Sequence, residues 1–130
     1  MEYKHNSNSV VLVNYHIVFC PKYRRKLLVD GVKKRCEEVF EDVARDNGWE
    51  IISREVMPDH VHLFVSADPN TRPHIVVKRF KGRTSRILRQ EFPELLKMPT
   101  LWTRSYFLST AGNVSAEVIN KYIERQWDKI

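Results

Sequence analysis

The sequence has no long hydrophobic run, no internal repeat and no low-complexity segment. Every apolar stretch is well short of the about 20 residues that a membrane-spanning helix needs, which argues against a helical membrane protein. The first residues, MEYKHNSNSV, lack the apolar core of a secretory signal peptide. We therefore expect a cytoplasmic protein whose 130 residues form one domain.

Cysteine is scarce, and the two that are present, Cys20 and Cys36, are far apart in the chain. They form neither a CxxC motif nor the spacing of a zinc ribbon, which excludes a thiolate zinc site of that kind. In an intracellular protein we expect both to be reduced thiols. A disulfide between them stays open only for a protein from a hyperthermophile.

Negative charge is also in short supply. Lysine and arginine number 22 against 16 aspartates and glutamates, so the formal net charge is +6 and the pI is about 9.5. Seven basic residues and no acidic one lie between Arg72 and Arg89, a second basic group is KYRRK at 22–26, and acidic residues cluster at 37–42. A solvated face explains any single cation, but two acid-free blocks favour a nucleic acid as the partner.

Hydrophobic periodicity predicts four strands and three helices. The predicted strands are 10–19, 49–57, 60–67 and 101–110, and the predicted helices are 30–48, 73–92 and 114–130. Gly82 costs about 1 kcal/mol relative to alanine inside a helix, so the sequence leaves a kink or a break open there. We expect Ser115 to cap the last helix, with Glu117 in its first turn.

The order β-α-β-β-α-β, followed by one more helix, indicates the α+β class. It predicts a ferredoxin-like or RRM-like antiparallel sheet with two helices on one face. The other face of the sheet would then be free to carry a site. The added C-terminal helix carries Tyr122.

Two histidines stand one residue apart in the stretch MPDHVHLFVS, residues 57–66. Because side chains alternate along a strand, His60, His62 and Phe64 share one face. The apolar residues that alternate with these three are expected to face the helices. Two neutral imidazoles in this arrangement can hold one divalent metal ion. Two surface histidines are the ordinary explanation of an isolated pair. Asp59 is expected to be a turn residue that points away from this face.

The final helix offers a second pair, Tyr122 and Gln126, which are neighbours on one helix face at i and i+4. A core tyrosine beside a boundary glutamine is the ordinary explanation. An amide oxygen could also complete a two-histidine metal site, and a phenol beside it could attack a phosphodiester. That attack yields a 5′-phosphotyrosine and a free 3′-hydroxyl, so the strand can be rejoined without ATP.

With these residues in place, the chain resembles the single-tyrosine HUH transposases, TnpA-like proteins of insertion sequences that move as single-stranded DNA. The likeness extends over nearly the whole chain, from about Tyr15 to Trp127. HVH after MPD is similar to the HUH motif of two histidines around a bulky hydrophobic residue. Three further segments resemble the family: VFCPKYRRKLL (18–28), KRFKGRTSRILRQEFP (78–93) and LWTRSYFLSTAGNVSAEVINKYIERQ (101–126).

The resemblance implies a role for each matching residue and a single transposase domain over 1–130. Tyr122 would be the nucleophile, and His60, His62 and Gln126 would ligate Mg²⁺ or Mn²⁺. It also implies a prokaryotic protein that recognises imperfect hairpins at the ends of its element. The protein would be an obligate homodimer in which the tyrosine helix of one subunit completes the HUH site of the other.

Several basic residues are expected to hold DNA phosphates. They are Lys22, Arg24, Arg25, Arg79, Lys81, Arg83 and Arg86. Arg104 and Ser105 could touch DNA or the partner subunit. Phe64, Trp102 and Tyr106 could stack on unpaired bases, with a core position as the alternative for each.

Three other functions compete with this interpretation. An RRM-like RNA-binding module would fit the fold and the charge, but histidines stand where that module has aromatic residues in its third strand. A histidine-triad nucleotide hydrolase needs a further histidine at the position of Phe64. A domesticated relative that binds and cuts hairpins without transposing carries the same motifs, and only flanking DNA separates it from a mobile element.

Overall fold

The computed structural model describes residues 5–6, 9–110 and 112–126. The strands are β1 His5–Asn6, β2 Ser9–Val10, β3 Val13–Phe19, β4 Glu50–Met57, β5 His60–Ala67 and β6 Phe107–Ser109. The helices are α1 Asp30–Asn47, α2 Pro73–Glu91 and α3 Ala116–Arg125, with short 3₁₀ turns at Lys22–Arg24 and Pro93–Lys97. None of the described helices is long and apolar enough to cross a membrane.

Four strands form one antiparallel sheet in the order β4-β5-β3-β6, and β1 pairs with β2 in a separate two-stranded sheet. In the register of the central strands, Val18 of β3 lies opposite His62 of β5 and opposite Phe107 of β6. This arrangement confirms the α+β class and the antiparallel sheet. It also places β5, which carries the histidine pair, in the interior of the sheet with a partner strand on each side.

One face of the sheet is covered by α1 and α2, which also pack against each other. The alternate residues Val61, Leu63 and Val65 of β5 are fully buried there, as the alternation predicts. Phe19 meets Phe40 of α1 edge-to-face, with ring centroids 6.0 Å apart. Full burial of each such side chain contributes about 1.5–3 kcal/mol to folding, so this packing fixes the register of the strands.

The helix ends follow local chemistry. Gly48 adopts the left-handed conformation at φ 70° and its N–H bonds to Ala44 O, which ends α1 where a side chain would be strained. α2 begins at Pro73, whose missing N–H is harmless in a first turn. α2 continues through Gly82 without a break. Ser115 caps α3 by accepting a hydrogen bond from the Val118 N–H at 3.2 Å, as predicted.

The predicted strand 101–110 is wrong over most of its length. Only Phe107–Ser109 pairs with β3. Leu101, Trp102 and Thr103 are all buried in succession, which an alternating strand with one open face does not allow. The Trp102 indole N–H reaches Thr84 Oγ1 at 3.0 Å, so packing against α2 holds this segment in an irregular path.

Two other boundaries differ from the predictions. The first long strand begins at Val13, not at residue 10, because Val10 pairs within the small β1–β2 hairpin. The last helix ends at Arg125 among the described residues, and residues 127–130 of the predicted helix, with Trp127, lie outside them. Cys20 and Cys36 are both free and buried.

Candidate active site

The sheet face opposite the two core helices brings β3, β5 and α3 together. Ile123 of α3 packs against Val18 and Cys20, and Tyr122 is partly buried beside them. Val18 pairs in turn with His62. The tyrosine helix therefore lies across the same sheet face that carries the two histidines.

His60 is held by the turn that precedes its own strand. Its Nδ1 lies 2.9 Å from Asp59 Oδ1, and Asp59 Oδ2 accepts a hydrogen bond from Arg24 Nε at 3.2 Å. Because a carboxylate only accepts, Nδ1 of His60 carries the hydrogen and Nε2 keeps a lone pair. The expected orientation of Asp59 away from the histidines is therefore wrong, because the tight turn at 58–59 brings its carboxylate back to His60.

Asp59 stays ionised in this setting. Burial by itself would raise the pKa of the Asp59 carboxyl, but the hydrogen bond and charge of His60, together with Arg24, lower it below the ordinary value. A charged carboxylate on a histidine that offers its other nitrogen is a common support for a metal ligand.

His62 meets a third imidazole, which sequence reasoning missed. His62 Nε2 lies 3.1 Å from His16 Nδ1, and His16 Nε2 lies 3.3 Å from Gly112 O. Burial, followed by the proximity of His16, lowers the pKa of His62 below its ordinary value. His62 is therefore a neutral imidazole at pH 7, which is the form that ligates metals.

Tyr122 and Gln126 are joined through Ser105, in the irregular segment before β6. The Ser105 hydroxyl donates to Gln126 Oε1, so its oxygen is left to accept from the Tyr122 hydroxyl at 3.0 Å. Gln126 is only 2% exposed, and its Nε2 donates to Tyr122 O at 2.9 Å. Both ends of the buried amide are thus satisfied within the chain.

Burial raises the pKa of Tyr122 to about 12. The phenol is therefore protonated at neutral pH in this position. Lys81 supports the same segment, since its Nζ lies 2.6 Å from Thr103 O and 3.3 Å from Ser105 O. Burial lowers the pKa of Lys81 to about 8.

The residues fit a divalent metal ion in part. His60 and His62 are neighbours on one strand face, and within the described part of the chain one nitrogen of each ring, Nε2 of His60 and Nδ1 of His62, makes no hydrogen bond. No group of three His, Cys, Asp or Glu among the described residues could hold a metal ion, so a third ligand from these residues would be of another type. Gln126 is of that type, but here its amide oxygen faces Ser105.

The histidine pair and the tyrosine pair are bridged by Arg24. Its Nη1 lies 3.5 Å from Ile123 O of α3, and its Nε bonds to Asp59. Tyr23 and Arg24 have φ angles of 62° and 54°, a left-handed conformation that costs about 1–3 kcal/mol for each non-glycine residue. This turn directs Arg24 between the two pairs.

The predicted phosphate-binding residues divide into two groups. Arg79 bonds to Asn47, Arg83 bonds to Asp46, and Arg24 and Lys81 are engaged as described above. Of the other three, Lys22 and Arg25 flank the Tyr23 ring at 5.3 and 5.7 Å from its centroid, and Arg25 and Arg86 are exposed. A pocket of about 540 Å³ beside His60 is lined by Tyr23–Lys26 and Asp59.

A second pocket, also of about 540 Å³, lies between α2 and the irregular segment 100–106. Its lining combines the cations Lys78 and Arg104 with the aromatic residues Trp102 and Tyr106. Trp102 is a core residue in the structure and Tyr106 is exposed. Phe64 stacks on His16, with ring centroids 4.2 Å apart, and so already has an aromatic partner.

Comparison with known proteins gives a consistent match over the chain. The family model described as "Transposase IS200 like" matches residues 9–126. The ISDra2 transposase TnpA of Deinococcus radiodurans is 38% identical over 132 residues, covering 99% of this chain and 94% of that protein. The transposase for insertion sequence element IS200 of Salmonella typhimurium is 27% identical over 118 residues, covering 88% and 77%.

Solved structures agree with this match. A crystal structure from Deinococcus radiodurans R1, described as a transposase, superposes with a TM-score of 0.86 at 36% identity, covering 95% of this chain and 97% of that one. A REP-associated tyrosine transposase bound to a REP hairpin superposes with a TM-score of 0.56 at 12% identity, covering 97% and 76%. At that identity the second match concerns the fold alone. The chain belongs to the IS200-like family of transposases.

Proposed function

We propose that this transposase cleaves and rejoins single-stranded DNA at the hairpin-bearing ends of its element, with Tyr122 as the nucleophile. One observation carries the proposal: α3 packs Tyr122 onto the sheet face that also carries His60 and His62, and Ser105 joins Gln126 to Tyr122. A phenol, an amide and two imidazoles are a suitable set for phosphoryl transfer with retention of the phosphoester bond energy.

In the proposed reaction the Tyr122 oxygen attacks the scissile phosphorus and loses its proton. The bond from phosphorus to the 3′-oxygen breaks, which leaves a 3′-hydroxyl and a 5′-phosphotyrosine. Attack by a second 3′-hydroxyl on the phosphotyrosine reverses the chemistry and returns the proton to Tyr122. Because one phosphoester replaces another, no external energy source is required.

We propose His60, His62 and Gln126 as the ligands of Mg²⁺ or Mn²⁺. Such an ion, when bound, would polarise the scissile phosphate and stabilise its charge. Asp59 and its partner Arg24 orient His60 for this task. For Gln126 to take part, its amide oxygen must leave the Ser105 hydroxyl.

We further propose a homodimer in which α3 of one subunit completes the site of the other. The support is that α3 is weakly attached to its own chain: within Ala116–Arg125 only Ile123 is buried. An element with so few buried apolar contacts opens at low free-energy cost. A helix that can leave its own sheet is free to deliver Tyr122 and Gln126 elsewhere.

The sheet order supports the finer fold assignment as ferredoxin-like. β3 and β5 are central, β4 and β6 are at the edges, and both core helices lie on one face. This is the order expected for a split β-α-β pair of units.

For DNA binding we favour Lys22, Arg25 and Arg86 over the other predicted cations. Arg24, Arg79, Lys81 and Arg83 already hold partners within the chain. Arg25 lines the pocket beside His60, and Lys22 directly precedes the first lining residue, Tyr23. We propose that a phosphate next to the scissile one lies in this pocket. A protein of the same fold has been solved with a hairpin bound, which is consistent with a hairpin substrate here.

The test is a covalent-adduct assay. The protein is incubated with end-labelled single-stranded hairpin DNA from the ends of the element and Mn²⁺ or Mg²⁺, and the products are separated on a denaturing gel. We expect a labelled, denaturant-resistant band that disappears in Tyr122→Phe and with a chelator but persists in Tyr106→Phe. Tight binding without an adduct would contradict the proposal and favour a relative that only binds hairpins.

A further inference from the structure

On the basis of that function, we propose that His16 is a positioning residue for the metal ligand His62. It holds His62 in the tautomer with the hydrogen on Nε2, so that Nδ1 presents its lone pair to the metal ion. His16 itself is not a ligand in this arrangement.

The tautomer follows from a chain of hydrogen bonds that begins at a backbone carbonyl. Gly112 O can only accept, so the His16 Nε2 atom 3.3 Å away carries the hydrogen. In a neutral imidazole the other nitrogen is then an acceptor. The 3.1 Å contact from His16 Nδ1 to His62 Nε2 therefore requires a hydrogen on His62 Nε2.

The ring of His16 is well placed to impose this choice. It is only 8% exposed and stacks on Phe64 with an interplanar angle of 14°. Its strand has partners on both sides, with His16 opposite Phe64 and Ser109. A ring fixed by stacking and by two paired strands cannot readily turn to offer the opposite nitrogen.

The two metal-site histidines are thus held in opposite tautomers. Asp59 puts the hydrogen of His60 on Nδ1 and leaves Nε2 available, whereas His16 puts the hydrogen of His62 on Nε2. Without such partners an imidazole exchanges between tautomers, and part of the population would present a protonated nitrogen to the metal. Loss of a partner of this kind typically costs about 10–100-fold in metal affinity.

The tautomers can be read directly by long-range ¹H–¹⁵N correlation spectra of the metal-free protein at pH 8, where imidazoles are generally neutral. We expect the wild-type spectrum to show His62 with its hydrogen on Nε2. His16→Leu should introduce the Nδ1–H form of His62. His16→Asn should preserve the wild-type form, because its amide oxygen can accept near the position of Nδ1. His74→Leu, a change at an exposed histidine on α2, serves as the control.

Mn²⁺ affinity provides the second measurement. It should fall about 10–100-fold in His16→Leu, recover in His16→Asn and stay unchanged in His74→Leu. An Nδ1–H form of His62 in the wild-type protein would overturn the proposal, as would an unchanged tautomer or affinity in His16→Leu. If His16→Leu does not fold, the wild-type spectrum decides by itself.

The result is separable from that of the adduct assay. The spectra use neither metal nor DNA, so the expected tautomers can be found in a protein that forms no adduct. An adduct formed by a protein whose His62 carries its hydrogen on Nδ1 would support the strand-transfer function and refute the role of His16.

Discussion

The histidine pair and the tyrosine pair of the candidate site are attached to the molecule in very different ways. His60 and His62 lie on an interior strand whose other face is fully buried, and both rings are held by neighbouring side chains. Tyr122 lies on α3, a short helix within which only Ile123 is buried, and the buried Gln126 follows directly at its C-terminal end. From this difference we expect the histidine half of the site to be rigid and the tyrosine half to be displaceable.

The largest expected effects separate the chemical tasks of the two halves. Tyr122→Phe and His62→Ala should each reduce DNA cleavage by about 10³-fold or more, as removal of a nucleophile or its essential partner does. Only His62→Ala should also weaken Mn²⁺ binding, measured by calorimetry. Equal loss of Mn²⁺ binding in Tyr122→Phe would show that the two halves are not separate.

The second effect concerns the support of the rigid half. Asp59→Asn removes the charged acceptor from His60 and should lower Mn²⁺ affinity about 10–100-fold. The fold should be kept, because Asp59 lies in a partly buried turn outside the hydrophobic core and its other partner is Arg24. Asp68→Asn makes a matched control, since Asp68 bonds to Trp49 and Thr71 far from the histidines. Unchanged affinity in Asp59→Asn would refute the orienting role.

The third effect concerns how β5 and α3 contribute to stability. Leu63→Ala, on the buried side of β5, should lower the free energy of unfolding by about 3 kcal/mol. Ile123→Ala should lower it by about 1 kcal/mol or less and instead raise the hydrogen-exchange rates of α3 amides, because the helix detaches locally. Urea unfolding and exchange measured by NMR distinguish these outcomes. Equal losses of global stability would mean that α3 is part of the cooperative core.

The smallest expected effect is a pH dependence of the free energy of unfolding that Lys81 causes. Lys81 supports the segment that holds the tyrosine pair. Its folded-state pKa of about 8 is below the unfolded value of about 10.4, so the unfolded chain binds more protons between these values. Stability should therefore rise as pH increases through this window, and Lys81→Met should reduce the rise. Lys78→Met, at an exposed position, should leave this rise in stability unchanged. Urea unfolding at pH 7.5 and 10 measures the free energy of unfolding of each variant.

The sequence predicted the elements whose contacts follow a simple period. Alternation along β5 predicted which residues are buried and which face carries His60 and His62, and helical spacing placed α1 and α2 within a residue or two. The segment 101–106 was predicted wrongly because its burial depends on long-range contacts of Trp102 with Thr84 and Pro21. No local period encodes such contacts.

The same distinction applies to the site. The i, i+4 spacing of Tyr122 and Gln126 was visible in the sequence, and so was the histidine pair. The contact of His16 with His62 could not be predicted, because it depends on the register between β3 and β5. The contact of Ser105 with Tyr122 depends on the path of the irregular segment 100–106. The alternation of β3 put His16 on the open face, which was the one available sign of its involvement.

The most direct test is a complementation experiment between the two halves of the site. Tyr122→Phe and His62→Ala chains, carrying different tags, are co-expressed and the mixed dimers purified by both tags. If a displaceable α3 serves the rigid histidines of its partner, one composite site in each mixed dimer is intact. We expect adduct formation well above that of either parent variant. Mixed dimers as inactive as their parents would contradict the division into a rigid half and a half donated by the partner.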